Sequence, residues 1–265
     1  MKTYLSRQNR ALLAELVRTD FKLRYQGSLL GYAWSLLKPL LLFVILYVVF
    51  VNFLKIGAGI PHYPVYLLLG IVLWNFFTEM TSQSLGSIVG RGDLIRKIRI
   101  SRWIIVFSSS LSALINLGLN LIVVLVFAIF NGVSFSFSAF LLPLNIAEIY
   151  ILAIGLSFFL AAAYVKFRDI SYIWEVVLQA GFYATPIIYP LTQIPSVFVQ
   201  KLLILSPMAQ SIQDARFNLI THDAITAGAL LQGMWIVVPF LLTAIFFLVG
   251  LKYFRSQSRY FAENI

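Results

Sequence analysis

The 265-residue chain has no cysteine and only two histidines, His62 and His222. The first absence removes disulfides and thiolate metal sites. The second leaves no metal site to predict, because the two histidines are far apart in sequence and no carboxylate cluster accompanies them. Charge is scarce as well. Asp, Glu, Lys and Arg make up 11% of the residues, against about 25% in soluble domains. No glycine-rich loop ends in Gly-Lys-Ser or Gly-Lys-Thr, so binding and hydrolysis of ATP through a P-loop are not expected of this chain. No serine has a visible base partner, so no catalytic residue is predicted and the chain is expected to bind no cofactor. Repeats, low-complexity tracts and a soluble domain are lacking. Residues 1–33 hold six basic residues and no long apolar core, so no cleavable signal peptide is expected.

What is present is apolar. Hydrophobic residues make up 60% of the chain, and mean hydropathy is +0.90. A soluble core cannot hide so much apolar surface, so the chain reads as an all-α integral membrane protein. Runs long enough to cross a bilayer predict six helices at 34–54, 65–88, 104–130, 139–165, 172–188 and 233–252. Asn131-Gly132-Val133-Ser134 reads as a tight uncharged hairpin between the third and fourth. The net charge of +10 is accounted for by the positive-inside rule and not by a nucleic-acid partner. Sixteen of the 20 basic residues fall on one side of this six-span topology. They lie in the N-terminal segment, in the loop from Arg91 to Arg102, at Lys166 and Arg168, and in the tail from Lys252 to Arg259. Only Lys55, Lys201 and Arg216 fall on the other side, with Lys38 inside the end of the first span. Both termini are therefore expected in the cytoplasm.

Three segments depart from plain spans. Residues 1–33 read as a basic amphipathic helix at the membrane plane, with a helical period through Leu5, Leu12, Leu13, Leu16 and Val17. A solvated arm is the simpler alternative. Residues 183–210 carry Pro186, Pro190, Pro195 and Pro207. Proline removes a backbone donor and clashes with the preceding turn, so this apolar stretch predicts a broken or re-entrant helical pair between the fifth and sixth spans, with an outer loop to about residue 232. Such a backbone survives near hydrocarbon only when packed against protein or lining a watery path. The loop 90–103, GRGDLIRKIRISRW, alternates basic and apolar residues. Positive-inside charge explains its basicity, and an amphipathic helix seated in a partner's groove accounts for both features.

Other candidates are scattered. Arg18, Lys22, Arg24 and Lys38 suit a diphosphate headgroup, or equally an ordinary anionic lipid. Glu79, Glu148 and Glu175 lie in predicted spans, where ionisable groups usually face a bundle interior or a cavity. Asn116 and Asn120 mark a polar stripe on the third span, and Gly86-x-x-x-Gly90 offers a close helix contact. A proton-coupled carrier would use such carboxylates, but no relay of acids and histidines is visible.

An ordered set of short motifs runs through the chain. It comprises Arg24-Tyr25, Gly27-Ser28, Leu30-Gly31, Trp34, Leu37 and Pro39-Leu40, then the loop 90–103, then Phe167-Arg168-Asp169-Ile170. Phe182-Tyr183-Ala184-Thr185-Pro186-Ile187 with Tyr189 follows, and the tail from Phe254 to Glu263 closes it. In this order the chain resembles the ABC-2 type permeases that export lipid-linked polysaccharides, the O-antigen and teichoic-acid exporters. It departs from them at Ser101-Arg102, where relatives often have proline before the basic residue, and at Ser206-Pro207-Met208, where they usually have Asn-Pro.

The resemblance implies an ABC-2 (type V) exporter fold in a single domain, 1–265, in a bacterial inner or plasma membrane. It implies a homodimer, with ATP and Mg held by two separate ATP-binding-cassette subunits. The loop 90–103 would be the coupling helix docked on those subunits through Arg91, Asp93, Leu94, Ile95, Arg96, Lys97, Ile98 and Arg99. An aromatic path for a moving glycan would include Phe43, Tyr47, Trp74, Phe76, Phe77, Phe182 and Tyr183, although ordinary packing accounts for any one of them. Pro186, Tyr189, Pro190 and Pro195 would form an outer gate. The cargo would be a lipid-linked glycan. A permease for small lipophilic molecules would need neither the aromatic path nor the proline-rich gate, and an enzyme acting on lipid-linked sugars would need paired carboxylates that Asp93 and Asp169 do not supply.

Overall fold

The structure, a computed structural model, describes residues 7–25, 28, 30–31, 33–57, 59–97 and 101–264. Among them it is all-helical. Helix α1 (Arg7–Tyr25) comes first. Helix α2 (Ala33–Leu46) follows, contains Pro39, and widens into a π-helix over Tyr47–Phe53. Helix α3 (Tyr63–Ser87) is buried on nearly every side. A tight turn through Arg91 leads to the short α4 (Gly92–Lys97) and then to α5 (Trp103–Phe130). Helix α6 (Leu142–Lys166) is reached through a 3-10 turn, Phe137–Leu141. Then come α7 (Ile170–Ala184), α8 (Val197–Ile204), α9 (Pro207–Leu219) and α10 (Ala227–Leu230). Helix α11 (Val238–Ser258) is preceded by a 3-10 turn, Gly233–Val237, and α12 (Phe261–Asn264) ends the described chain.

Among the described residues, five helical stretches are long and apolar enough to cross a bilayer: Ala33–Phe53, Tyr63–Ser87, Trp103–Phe130, Phe137–Lys166 and Gly233–Ser258. They match five of the predicted spans to within a few residues, apart from the later end of the last. The predicted span 172–188 differs. Its helix, α7, has 15 residues, about 22 Å against a hydrocarbon core of about 30 Å. It stops because Thr185 precedes Pro186 and is extended, with ψ 137°. The proline ring disfavours helical backbone in the residue before it.

The centre of the bundle is α3, packed on α5 and α6. Its apolar residues Leu67, Leu68, Leu69, Ile71 and Leu73 point in several directions, yet all are buried. Helix α7 runs antiparallel along α3. Trp174 donates to Thr81 near one end of α3, Phe182 meets the Trp74 ring midway, and Tyr63 at the other end donates to the Ile188 carbonyl. The α5–α6 hairpin turns at Asn131-Gly132 as expected. Gly132 has φ +72°, a conformation that glycine adopts without strain, and three backbone N–H groups of the turn bond back to Phe127, Ala128 and Ile129.

Three expectations are refined. Helix α1, read as lying at the membrane plane, also has a face inside the protein. It packs along α5, with Leu16 buried. The loop expected between 210 and 232 holds the second half of α9, whose Ile212, Ala215 and Leu219 are buried, and the short α10 (Ala227–Leu230). The close helix contact is not at Gly86 and Gly90, where a Cβ would meet nothing. It is between α6 and α11, where a Cβ on Gly250 would run into the Gly155 carbonyl and one on Gly155 would run into the Phe247 backbone. The absence of both side chains lets these helices touch backbone to backbone.

Candidate functional site: a polar cleft, a capped end and a clamped turn

A cleft of about 440 Å³ opens between α2, α3 and α5. It is unusually polar for the side of a membrane bundle. Lys38, Glu79, Gln83, Asn116 and Asn120 line it, with Trp34 and Phe76. The Glu79 carboxylate accepts from Asn116 at 2.5 Å and from Gln83 at 2.7 Å. Asn120 donates to the Asn116 carbonyl at 2.8 Å and to the Ser35 carbonyl at 3.3 Å. The predicted polar stripe therefore joins three helices, with Glu79 at its centre. Glu175 is exposed, and Glu148 is buried beside a second cavity of about 380 Å³ that Asp214 also lines. Burial pushes the Asp214 carboxyl above its ordinary range, against hydrogen bonds from Gln210 and from the Ala227 N–H that hold it down. Of the four predicted headgroup ligands only Lys38 lines the cleft. Arg18 and Lys22 are exposed on α1 away from it, and the side chain of Arg24 lies outside the described residues.

The predicted glycan residues form two groups. Phe43 sits 5.7 Å from Tyr47 and 5.5 Å from Phe127, between α2 and α5. Trp74 sits 5.6 Å from Phe77 and 6.1 Å from Phe182, which is 5.4 Å from Tyr183. Trp174, 6.2 Å from Phe77, extends the second group. Phe76 belongs to neither and faces the polar cleft. Tyr183 is exposed, whereas Phe43, Trp74, Phe76 and Phe77 are buried.

At the end of the bundle away from α4, the first part of the proline-broken segment, residues 185–191, is largely buried, and several of its carbonyls accept from side chains. Arg216, fully buried on α9, donates to Pro186 O at 2.6 Å and Ile187 O at 2.7 Å. Its remaining donors reach Gln213 Oε1 at 2.8 Å and the Tyr66 carbonyl at 3.0 Å. The Tyr189 hydroxyl donates to the last carbonyls of α7, Tyr183 at 3.1 Å and Ala184 at 3.2 Å. Gln200 donates to Ile194 O at 2.7 Å, beside Pro195. Pro190 leads into a 3-10 turn, Leu191–Gln193. Packing against protein thus satisfies the carbonyls of Pro186 and Ile187, beside the first break. The central ligand was not foreseen, because Arg216 reads as one more loop charge. Its only sequence signal is its place in an amphipathic stretch with Ile212 and Ala215. His62, His222 and Asp223 line one cavity of about 520 Å³ at this end, although no group of three metal-ligating side chains occurs among the described residues.

At the other end, Arg91 is held inside the protein. It pairs with Asp20 of α1 and donates to Ser108 Oγ at 3.1 Å and to the Ile105 carbonyl at 3.4 Å. Of the other predicted docking residues, Asp93 and Arg96 are exposed, Leu94 is half-buried and Ile95 is buried. Lys97 ends α4 with its side chain outside the described residues, as are Ile98 and Arg99. Helix α12 packs on α4 and α6. Its Phe261 is buried 5.4 Å from Phe254, which lies 5.0 Å from Phe158.

The family model for ABC-2 type transporters matches residues 11–220. The chain is 29% identical over 262 residues to the O-antigen export system permease protein RfbA of Myxococcus xanthus, covering 97% of this chain and 96% of that one. It is 29% identical over 253 residues to an RfbA of Klebsiella pneumoniae, covering 95% and 94%. It is 24% identical over 241 residues to the polysialic acid transport protein KpsM of Escherichia coli, covering 90% of each. The matched region runs from α1 through α9, taking in the cleft, the clamped turn and the Arg216 cap, and the chain belongs to the ABC-2 type transporter family.

Proposed function

We propose that this chain is the membrane-spanning permease subunit of an ATP-driven exporter that moves a lipid-linked polysaccharide from the cytoplasm to the outer side of the membrane. One observation carries the reading: the likeness to two O-antigen export permeases runs over nearly the whole chain. ATP hydrolysis belongs to two partner subunits, which hold ATP and Mg.

The six-crossing topology has a geometric argument. Helix α1 is tied to the turn before α4, and α12 packs on α4, so the first and last helices share one end of the bundle. Five crossings would separate them. The sixth is α7 with residues 185–188, which together run along α3 from Thr81 to Tyr63. Helices α8 and α9 then form the re-entrant cap at the outer face. The basic residues put the α4 end in the cytoplasm.

Two copies would meet through the exposed apolar faces of α7 (Tyr172, Ile173, Val176) and α2 (Leu41, Val44, Ile45). The glycan would then pass between them, sliding on Tyr47, Phe182 and Tyr183. Lys38 in the polar cleft would meet the diphosphate, Pro186, Tyr189, Pro190 and Pro195 would form the outer gate, and α4 would carry the stroke of the ATPase. The test is reconstitution of the chain with and without its ATPase partner in vesicles containing a labelled polyprenyl-diphosphate glycan. ATP-dependent appearance of the glycan on the far side, only with both proteins present, is the expected result. Movement without the partner, or transport of small lipophiles alone, would refute it.

A further inference from the structure

Helix α8 and the start of the last span enclose a groove of about 340 Å³ on the outside of the bundle. Its walls are Phe198, Leu202, Leu231 and Trp235, and its polar rim is Lys201 and Gln232. Phe198 is 75% exposed, Leu202 58% and Trp235 61%. Such an apolar face is unfavourable in water, and here it continues into a membrane-facing surface. Trp235 belongs both to the groove and to the crossing stretch Gly233–Ser258, whose Val237, Leu241 and Ile245 are exposed along the same helix. The groove therefore opens to lipid.

Its charge is one-signed. Lys201 lines it, and no Asp or Glu does. A lysine beside apolar walls keeps its stem on the hydrocarbon and its ammonium at headgroup level, and tryptophan favours the same depth. Cation above and apolar slot below is the pattern of an anionic amphiphile. Ligand pockets run from about 300 to 1,000 Å³, so this groove has room for an acyl chain. It has no room for a helix about 10 Å across.

We propose that this groove is a binding site for one anionic phospholipid of the surrounding leaflet, with its phosphate on Lys201 and one acyl chain between Leu202 and Trp235. The site requires only that Gly233–Ser258 cross the membrane, and it stands or falls independently of the exported cargo.

The test uses the full chain in phosphatidylcholine vesicles containing brominated phosphatidylglycerol or brominated phosphatidylcholine as quencher. The emission of Trp235 is isolated as the difference between the wild type and Trp235→Phe, both of which keep the other four of the chain's 5 tryptophans. The expected result is quenching at about fivefold lower mole fraction with the anionic lipid, the preference that one lysine near the headgroups supplies. Lys201→Gln should abolish that preference and Lys201→Arg should keep it, with the helical circular dichroism of both unchanged. Equal quenching by the two lipids in the wild type would overturn the proposal. So would an unquenched Trp235, which would mean that a second copy covers the groove, or release of quenching by stoichiometric polyprenyl phosphate, which would assign the groove to the cargo lipid.

Discussion

Arg216 and Tyr66 meet twice: the guanidinium lies 3.6 Å from the centroid of the Tyr66 ring, and its Nε donates to the Tyr66 carbonyl at 3.0 Å. That pairing anchors α9 to the beginning of α3 and aims the rest of the guanidinium at Pro186 and Ile187. The break after α7 is chemically awkward. Prolines 186 and 190 have no N–H, and the carbonyls around them lose their helical partners. One planar cation with five donors meets two of those carbonyls at once. Gly70 makes the room, since a Cβ there would collide with the guanidinium.

Removing Arg216 is therefore predicted to be among the most damaging single changes. Arg216→Ala leaves several buried neutral acceptors unmet, each at a cost of about 1–3 kcal/mol. Arg216→Lys should fall between, because an ammonium cannot reproduce the planar fork. Limited proteolysis between residues 185 and 206, with thermal unfolding in detergent, measures both. Resistance equal to wild type in Arg216→Ala would show that the cap is held by other contacts.

The Asp20–Arg91 pair predicts a link between α1 and the turn that leads into α4. Both side chains are largely buried, at 24% and 18% exposure, so the pair should be worth more than a surface salt bridge, whose usual value is about 0–1 kcal/mol. Arg91→Ala and Asp20→Ala should each reduce ATP-driven export, and the double variant should lose little more than either one. A double-mutant cycle on transport rate and on unfolding reads that coupling directly. Additive losses would mean that the two residues act separately.

Glycine positions give opposite predictions in one protein. Gly250→Ala must push α11 away from the Gly155 carbonyl, and a loss of about 1–3 kcal/mol is expected for such overpacking. Gly86→Ala and Gly90→Ala face open space and should be neutral or slightly stabilising, since alanine favours helix over glycine by about 1 kcal/mol. Thermal unfolding of the three variants decides the matter, and equal effects would count against the α6–α11 contact.

The long spans were legible because each is an unbroken apolar run that nothing but hydrocarbon or a large core accommodates. The end of α7 was only partly legible: Thr185-Pro186 marks a break, but the apolar run continues past it and carries the predicted span on to residue 188. The cap was not. Helix α9 is polar enough to pass for a loop, and its key residue acts on partners up to 150 positions away. The contact between Gly155 and Gly250 has the same character: two glycines in different spans carry no local pattern, whereas Gly86 and Gly90 carry one and make no contact. The polar cleft was half visible, because the i, i+4 spacing of Asn116 and Asn120 marks a face but does not name Glu79 as its partner.

The last prediction concerns α4. Its residues divide by burial. Ile95 faces the protein, beside the tail helix α12, while Asp93 and Arg96 face outward and Leu94 lies between. If α4 takes the stroke of an ATPase, the outward residues carry coupling and the inward one carries stability. Replacing Leu94, Arg96 and Lys97 together by alanine should abolish ATP-driven export while the chain still folds and inserts. Ile95→Ala should instead lower stability, by about 2–4 kcal/mol for a buried large-to-small change, and reduce export only as far as folded protein is lost. The measurements are transport per folded molecule, ATPase stimulation by the permease, and unfolding temperature. Full export by the triple variant would show that the motor grips the chain elsewhere, and α1, clamped to the same turn through Asp20, would be the next surface to replace.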